Sequence, residues 1–236
     1  MILKFDLNNE KLMSHFTKET LEFLGDLREN NKREWFHANK KKYEKFVKEP
    51  FKEFVSELIF RIQEFDPELT LEAKDAIFRI NRDMRFSKDK SPYKTWISAN
   101  MNNKGKRTIP NSVGYYVHID PEFVQIGGGS YHIDKYGIHA VRTAIMDEPE
   151  SINKIIKNKN FNKLYGEIQG AKNKRLPPEF KEAHETQPLL ANKSFFYMTK
   201  LDANAITEPN FIEMVAEYHR VGNMFNEFLK SSLSGL

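Results

Sequence analysis

Apolar residues spaced three and four positions apart predict helices at both ends of this chain. The first helix begins after Phe16-Thr17, where Thr17 is a suitable N-cap and Phe16 and Leu21 can form a hydrophobic staple. Pro50 suits the first turn of another helix. The same periodicity predicts further helices around residues 35–47, over 50–65 and over 211–229, with shorter helices between 138 and 168.

Between these regions the chain changes to short runs of β-branched and aromatic residues, which are typical of strands. Five such runs are predicted as strands: Ala76–Ile80, Thr95–Met101, Val113–Ile119, Phe123–Ile126 and Ser194–Leu201. The turn at residues 120–122 predicts that the third and fourth strands form a hairpin. We expect the glycines at 127–129 to end this hairpin. The chain is therefore predicted to be an α+β protein, with a mainly antiparallel sheet of about five strands flanked by N-terminal, middle and C-terminal helices.

Length and composition favour one folded domain. The 236 residues contain no internal break, so we expect residues 16–232 to form a single α+β domain after a flexible lead-in at residues 1–15. Cysteine is absent, which excludes disulfides, thiolate metal sites and a cysteine nucleophile. The sequence has no secretory signal and no run of about 20 apolar residues, so the expectation is a cytoplasmic protein without a membrane partner. It does not determine the oligomeric state.

The net charge is concentrated in one short stretch, from Ile77 to Lys94. This stretch holds six basic and two acidic residues, an excess equal to the +4 of the whole chain. Everything outside it is therefore neutral overall. A local concentration of this kind indicates an anionic ligand or partner.

Arginine suits bidentate recognition of phosphate or carboxylate, and lysine adds point charge. We therefore predict an anion-binding site whose side chains come from this stretch. The predicted set is Arg79, Arg82, Arg85, Ser87, Lys88, Lys90, Tyr93 and Lys94. The backbone N–H groups of Gly127, Gly128 and Gly129 are candidates to line the same site, although these glycines do not match a nucleotide-binding motif.

Three residues in or near this set are candidates for proton transfer: Asp83, Tyr93 and His118. Two His-x-Asp pairs, which begin at His118 and His132, lack the spacing of a known metal motif. We accordingly predict no metal and no cofactor. Both an enzyme and a binding protein fit this pattern.

The segment from Arg79 to Lys94, RINRDMRFSKDKSPYK, resembles the signature of a bacterial and fungal family known as domain of unknown function 2461. The similarity continues in residues 31–36 (NKREWF), 127–131 (GGGSY) and 193–195 (KSF), and it covers almost the whole chain. The resemblance implies a single domain of this length. It implies no particular activity.

Three functions are consistent with the basic stretch. The first is a pocket for a small phosphorylated or carboxylated ligand. The second is a nucleic-acid-binding module, which the neutral remainder of the chain and the lack of a recognition motif do not favour. The third is an Arg–Asp ion network that holds the fold together, with function in a protein-partner surface. The pocket is our leading hypothesis.

Overall fold

The computed structural model describes residues 14–83, 85, 88–105 and 109–236. Its N-terminal part is helical, as the apolar periodicity predicts. The helices are α1 (Lys18–Glu29), α2 (Arg33–Ala38), α3 (Lys40–Tyr43), α4 (Glu49–Gln63) and α5 (Ala73–Ala76). A π-helical turn, Glu44–Lys48, joins α3 to α4. Thr17 holds the N-cap position of α1 without a capping hydrogen bond to the backbone, and Pro50 lies in the first turn of α4.

The middle helices lie between the third and fourth strands of the sheet, and the C-terminal helix follows the fourth strand. They are α6 (Lys135–Asp147), α7 (Pro149–Ile156), α8 (Lys159–Tyr165), α9 (Lys181–His184) and α10 (Phe211–Leu233). Short 3-10 turns lie at Pro178–Phe180, Pro188–Ala191 and Ala203–Thr207. Asp134 caps α6 by accepting hydrogen bonds from the backbone N–H groups of Tyr136 and Gly137, at 2.9 and 2.8 Å.

One antiparallel sheet joins these helical regions, with its strands in chain order. The strands are β1 (Ile97–Met101), β2 (Gly114–Ile119), β3 (Phe123–Ser130) and β4 (Phe195–Asp202). In one row across the sheet, Ala99 pairs with Val117, Val117 with Ile126 and Ile126 with Thr199. The prediction of an α+β protein with an antiparallel sheet is confirmed.

Two details of the sheet differ from the prediction. The described residues form four strands rather than about five, because Ala76 ends α5 and the rest of the predicted run Ala76–Ile80 makes only an isolated bridge, from Ile77 to Ala99. The glycines at 127–129 do not end β3. They pair with residues 196–198 of β4, so the strand continues to Ser130.

One face of the sheet carries the core. Strand alternation directs Val117, Val124 and Ile126 into a large apolar cluster that also contains side chains of α1, α4 and the first half of α10. A second cluster joins α6–α8 and the second half of α10 to Phe195 and Tyr197 of β4. Helix α10 therefore ties both parts of the core to the same face of the sheet.

An ion pair with a buried carboxylate holds the C-terminal part of α10 against this core. The Asp66 carboxylate, which is 4% exposed, lies 2.7 Å from the Lys230 Nζ. The Tyr115 hydroxyl donates a hydrogen bond of 2.8 Å to the same carboxylate. These contacts join the segment after α4, strand β2 and α10.

The predicted lead-in at residues 1–15 lies outside the described residues except for its last two positions. There, the His15 Nε2 is 3.1 Å from a Glu57 carboxylate oxygen on α4. Among the described residues, no helix is both long enough and apolar enough to cross a membrane.

Candidate ligand-binding site

The face of the sheet opposite the core carries a different set of side chains. By strand register, one row across it contains Asn100, Tyr116, Gly127 and Met198, and the next contains Ser98, His118, Gln125 and Lys200. None of these residues belongs to either apolar cluster. An antiparallel sheet with one packed face commonly leaves the other to solvent or to a ligand.

A cavity of about 350 Å³ lies on this open face. Its volume is within the range of small-molecule sites, about 300–1,000 Å³. Aromatic, small and polar uncharged residues dominate its wall: Phe78, Asn100, Ile109, Ser112, Gly114, Tyr116, Gly128, Gly129, Tyr131, His132, Phe196 and Met198. Two of the three glycines predicted from the sequence therefore line it, and Gly127 lies beside them in β3.

Glycine is required in this part of the sheet because the strands approach closely. A Cβ atom on Gly114 would lie 2.4 Å from the Met101 carbonyl oxygen, and one on Gly129 would lie 2.5 Å from that of Phe195. Gly129 also has a φ of +100°, which side-chain-bearing residues rarely adopt. Where these residues line the cavity, its wall is bare backbone.

The basic stretch reaches the site because its two ends are hydrogen-bonded together. The Arg82 N–H donates to the Pro92 carbonyl at 2.9 Å, and the Lys94 N–H donates to the Ile80 carbonyl at 2.8 Å. Residues 82–92 therefore form a closed loop. Its base brings Lys94 close to Arg79 and Arg82, although these residues are far apart along the chain.

Lys94 lies at the base of this loop, and no described carboxylate neutralises it. Burial lowers the pKa of its amine, and repulsion from Arg79 and Arg82 lowers it further. In the described part of the chain, neither Lys94 nor Arg79 has a carboxylate within 4.0 Å. The Lys94 Nζ lies 5.2 Å from the ring centroid of Phe78, a residue of the cavity wall.

The two arginines of the loop pair with its two aspartates. Arg85 forms a bidentate pair with Asp83, at 3.0 and 2.7 Å, and this hydrogen bonding holds the pKa of Asp83 well below its ordinary value. Arg82 pairs with Asp89, whose pKa is lowered to about 2, first by its hydrogen bonds from Ser91. Lys88 and Lys90 are exposed, and Ser87 lies outside the described residues.

Tyr93, predicted as a site residue, packs against the N-terminal helices. Its ring is buried and stacks on Phe36, with centroids 4.0 Å apart. The Asn31 side chain bonds both the carbonyl and the N–H of Tyr93, at 2.9 and 3.1 Å. These contacts fix the end of the basic loop against α2.

Of the three candidates for proton transfer, only His118 lies on the face that carries the cavity. Its Nδ1 is 3.2 Å from the Tyr116 hydroxyl, and its ring is sandwiched between Trp96 and Phe123, at 5.6 and 5.5 Å. Burial lowers the pKa of His118 to about 4, and Lys94 contributes to the decrease. The imidazole is therefore neutral at pH 7.

The two His-x-Asp pairs do not come together. Asp120 pairs with Arg28 at 2.9 Å, and Asp134 caps α6. Across the residues that the structure describes, no group of three or more His, Asp or Glu side chains is arranged to hold a metal ion.

The sequence reasoning missed most of the cavity wall. Phe78 and Phe196 lie in runs that were predicted only as strands, and both line the cavity. Phe78 does so because its neighbour Ile77 pairs with Ala99, a core residue, which directs the next side chain to the opposite face. Strict alternation along β4 would have placed Phe196 and Met198 on the face opposite to that of the buried Phe195 and Tyr197.

The fold and the site define an α+β protein with a small cavity on the open face of an antiparallel sheet and a cationic cluster beside it. The chain belongs to the family described as "Conserved hypothetical protein (DUF2461)", whose model matches residues 19–228. This confirms the resemblance found in the sequence. Comparisons with curated proteins and with solved structures gave no match.

Proposed function

We propose that this protein binds a small phosphorylated or carboxylated ligand on the open face of its sheet. The body of the ligand occupies the 350 Å³ cavity, and its anionic group meets Lys94 and Arg79. A cytoplasmic location, expected from the sequence, belongs to the same proposal.

The arrangement around Lys94 carries the proposal. A lysine that forms a salt bridge with a carboxylate of the same protein has a raised pKa. The pKa of Lys94 is instead lowered, by burial and by two neighbouring arginines. Clustering cations in this way is unfavourable for the unliganded protein. An anion that binds between them removes the repulsion, and charge-assisted hydrogen bonds then favour its retention.

A second observation bears on the nucleic-acid alternative. A groove of about 620 Å³ adjoins the cavity at Phe78 and is bordered by basic residues: Lys40, Lys48, Lys52, Lys74 and Arg79. Glutamates reduce its charge, since Lys40 lies 3.9 Å from Glu44 and Lys48 lies 3.4 Å from Glu49. A polyanion bound there would release several counterions, so its affinity would fall steeply with salt.

A thermal-shift screen tests the proposal. Phosphate, sulfate, sugar phosphates, small dicarboxylates and a short oligonucleotide are added to the wild-type protein and to Lys94→Met, at two salt concentrations. We expect a small anion to raise the melting temperature of the wild type but not of the variant, with modest salt dependence. If only the oligonucleotide shifts the wild type, and steeply with salt, the nucleic-acid alternative replaces the pocket.

A matched control separates the site from a general loss of charge. Lys45 Nζ lies 4.8 Å from the ring of Phe46, outside the cavity wall, so Lys45→Met removes the same kind of amine–ring contact elsewhere. This control should keep the full ligand-induced shift. A control that loses the shift as Lys94→Met does would show that net charge, rather than the site, governs binding.

A further inference from the structure

The cavity wall has a composition that anion binding alone does not require. Four of its residues are aromatic: Phe78, Tyr116, Tyr131 and Phe196. Tyr131 and Phe196 lie with ring centroids 5.3 Å apart, and Tyr131 is 66% exposed. A site for inorganic phosphate or a short carboxylate would leave these rings without a function in binding.

The glycine backbone gives this aromatic cavity a surface without side chains. Gly114 pairs with Gly129 across β2 and β3, and Gly128 lies next to them. A Cβ at Gly128 would lie 2.4 Å from the buried Tyr197 hydroxyl oxygen and 2.6 Å from the Gly114 carbonyl oxygen, so only glycine fits between the core and the neighbouring strand here. Bare backbone flanked by aromatic side chains suits a flat ring, which can contact both.

A polar side chain is available at the edge of this space. Asn100 lies in the cavity wall beside Tyr116, and among the described residues its amide has no hydrogen-bond partner. An amide offers a donor and an acceptor side by side. A heterocycle with an adjacent acceptor and donor, as in a nucleobase edge, matches this pair of groups.

The cation cluster lies next to the same space. Phe78 contributes to the cavity wall, and its ring centroid is 5.2 Å from the Lys94 Nζ. A ligand with a flat ring at one end and an anionic group at the other would therefore contact both regions. The cavity volume, near the lower limit of small-molecule sites, suits one ring system rather than two.

We infer that the ligand is a mononucleotide-like molecule, in which a planar nitrogen heterocycle carries a phosphate through a short linker. The heterocycle lies on the glycine backbone among the aromatic side chains, with its polar edge toward Asn100. The phosphate meets Lys94 and Arg79. This inference rests on the proposed function and adds the chemical class of the ligand.

Isothermal titration calorimetry with six probes tests it: AMP, GMP, CMP, UMP, ribose 5-phosphate and inorganic phosphate. Stacking and edge contacts are worth enough for at least one nucleotide to bind about tenfold more tightly than ribose 5-phosphate. Asn100→Leu removes the edge contact and leaves the stacking, so it should reduce this preference at least by half, while the affinity for ribose 5-phosphate should not change. Lys94→Met should weaken both.

Two further variants keep the result interpretable. Asn162→Leu, an exposed position on α8, is the control for an asparagine-to-leucine change outside the site. Asn100→Ser, a smaller change, replaces Asn100→Leu in the comparison if circular dichroism shows that the leucine variant is not folded. Both variants are measured with the same six probes.

The outcomes distinguish this inference from the proposed function. If ribose 5-phosphate binds as tightly as every nucleotide, the ligand class is wrong and the anion pocket stands. If a nucleotide is preferred but Asn100 variants keep the preference, the heterocycle does not lie where we place it and the inference is overturned. If none of the six probes binds and the dicarboxylates and sugar phosphates also fail, the proposed function falls, and the inference with it.

Discussion

Replacing Lys94 by methionine separates a binding site from a structural ion network, because the two predict different effects on the unliganded protein. Methionine keeps most of the apolar stem on Phe78 and removes only the charge. If Lys94 were part of a network that stabilises the fold, its loss would destabilise the protein. If it is held for a ligand, its loss should cost little until the ligand is added.

The expected magnitude follows from the contacts of the amine. Repulsion from Arg79 and Arg82 is relieved, which gains about 0.5–1 kcal/mol if each like-charged pair costs what it does on helix surfaces. The contact with the Phe78 ring is lost, which costs about 0.5–1 kcal/mol. The two effects nearly cancel. For a chain of 236 residues, a net change below about 1 kcal/mol moves the melting temperature by less than about 4 °C.

The effect of ligand should be larger. A ligand present at a hundred times its dissociation constant stabilises the wild type by about 2.7 kcal/mol, or roughly 5–11 °C for a chain of this size. Differential scanning fluorimetry with and without the ligand found in the screen measures both quantities. The reasoning is refuted if Lys94→Met melts more than about 8 °C below the wild type without ligand, or if its ligand-induced shift equals that of the wild type.

Three further predictions concern the fold. Burial lowers the pKa of His219 to about 3, so below about pH 6.5 the unfolded chain binds a proton at this residue that the folded chain does not, and His219 alone should reduce the free energy of unfolding by about 2 kcal/mol by pH 5. Urea unfolding at pH 8 and pH 5 should show a smaller loss in His219→Phe, and an unchanged loss would contradict this assignment. Gly222→Ala should lower stability by about 1–3 kcal/mol, since its Cβ would lie 2.4 Å from a buried tyrosine ring. As its control, Gly25→Ala on α1 places a Cβ that meets nothing within 4 Å, and it should raise stability by up to about 1 kcal/mol. Equal changes in the two melting temperatures would refute the packing argument. Lys230→Met leaves the Asp66 carboxylate buried without its cation and should cost about 3 kcal/mol in urea unfolding, an estimate that a loss below about 1 kcal/mol would overturn.

Local periodicity was sufficient for the class of fold. The stripes that predict α1, α4 and α10 depend on residues three and four positions apart, so they can be recognised without knowledge of the rest of the chain. The strands were recognised for the same reason, with the exception of Ala76–Ile80. That run has the composition of a strand but forms only one bridge to β1, and pairing depends on a partner that composition does not specify.

The site was only partly predictable. The chemistry of the basic stretch, with its six cations and its net charge, follows from residue types alone, and its resemblance to a family signature led to the family that the match over residues 19–228 confirms. It also marked the glycines of β3 as exceptional. These properties belong to residue types and to short spacings, which folding does not change.

Which of these residues lie close together depends on the tertiary structure. Hydrogen bonds between residues 80 and 94 and between 82 and 92 place Lys94 beside Arg79 and Arg82, while Arg85 is neutralised within the loop. Pairing of β3 with β4, more than 60 residues later in the chain, places Phe196 beside Gly129 and makes the cavity wall. Such contacts join residues that are distant in sequence, and the energy that selects them comes from covering one face of the sheet with helices. The open face, and with it the candidate site, therefore exists only once the whole chain has packed.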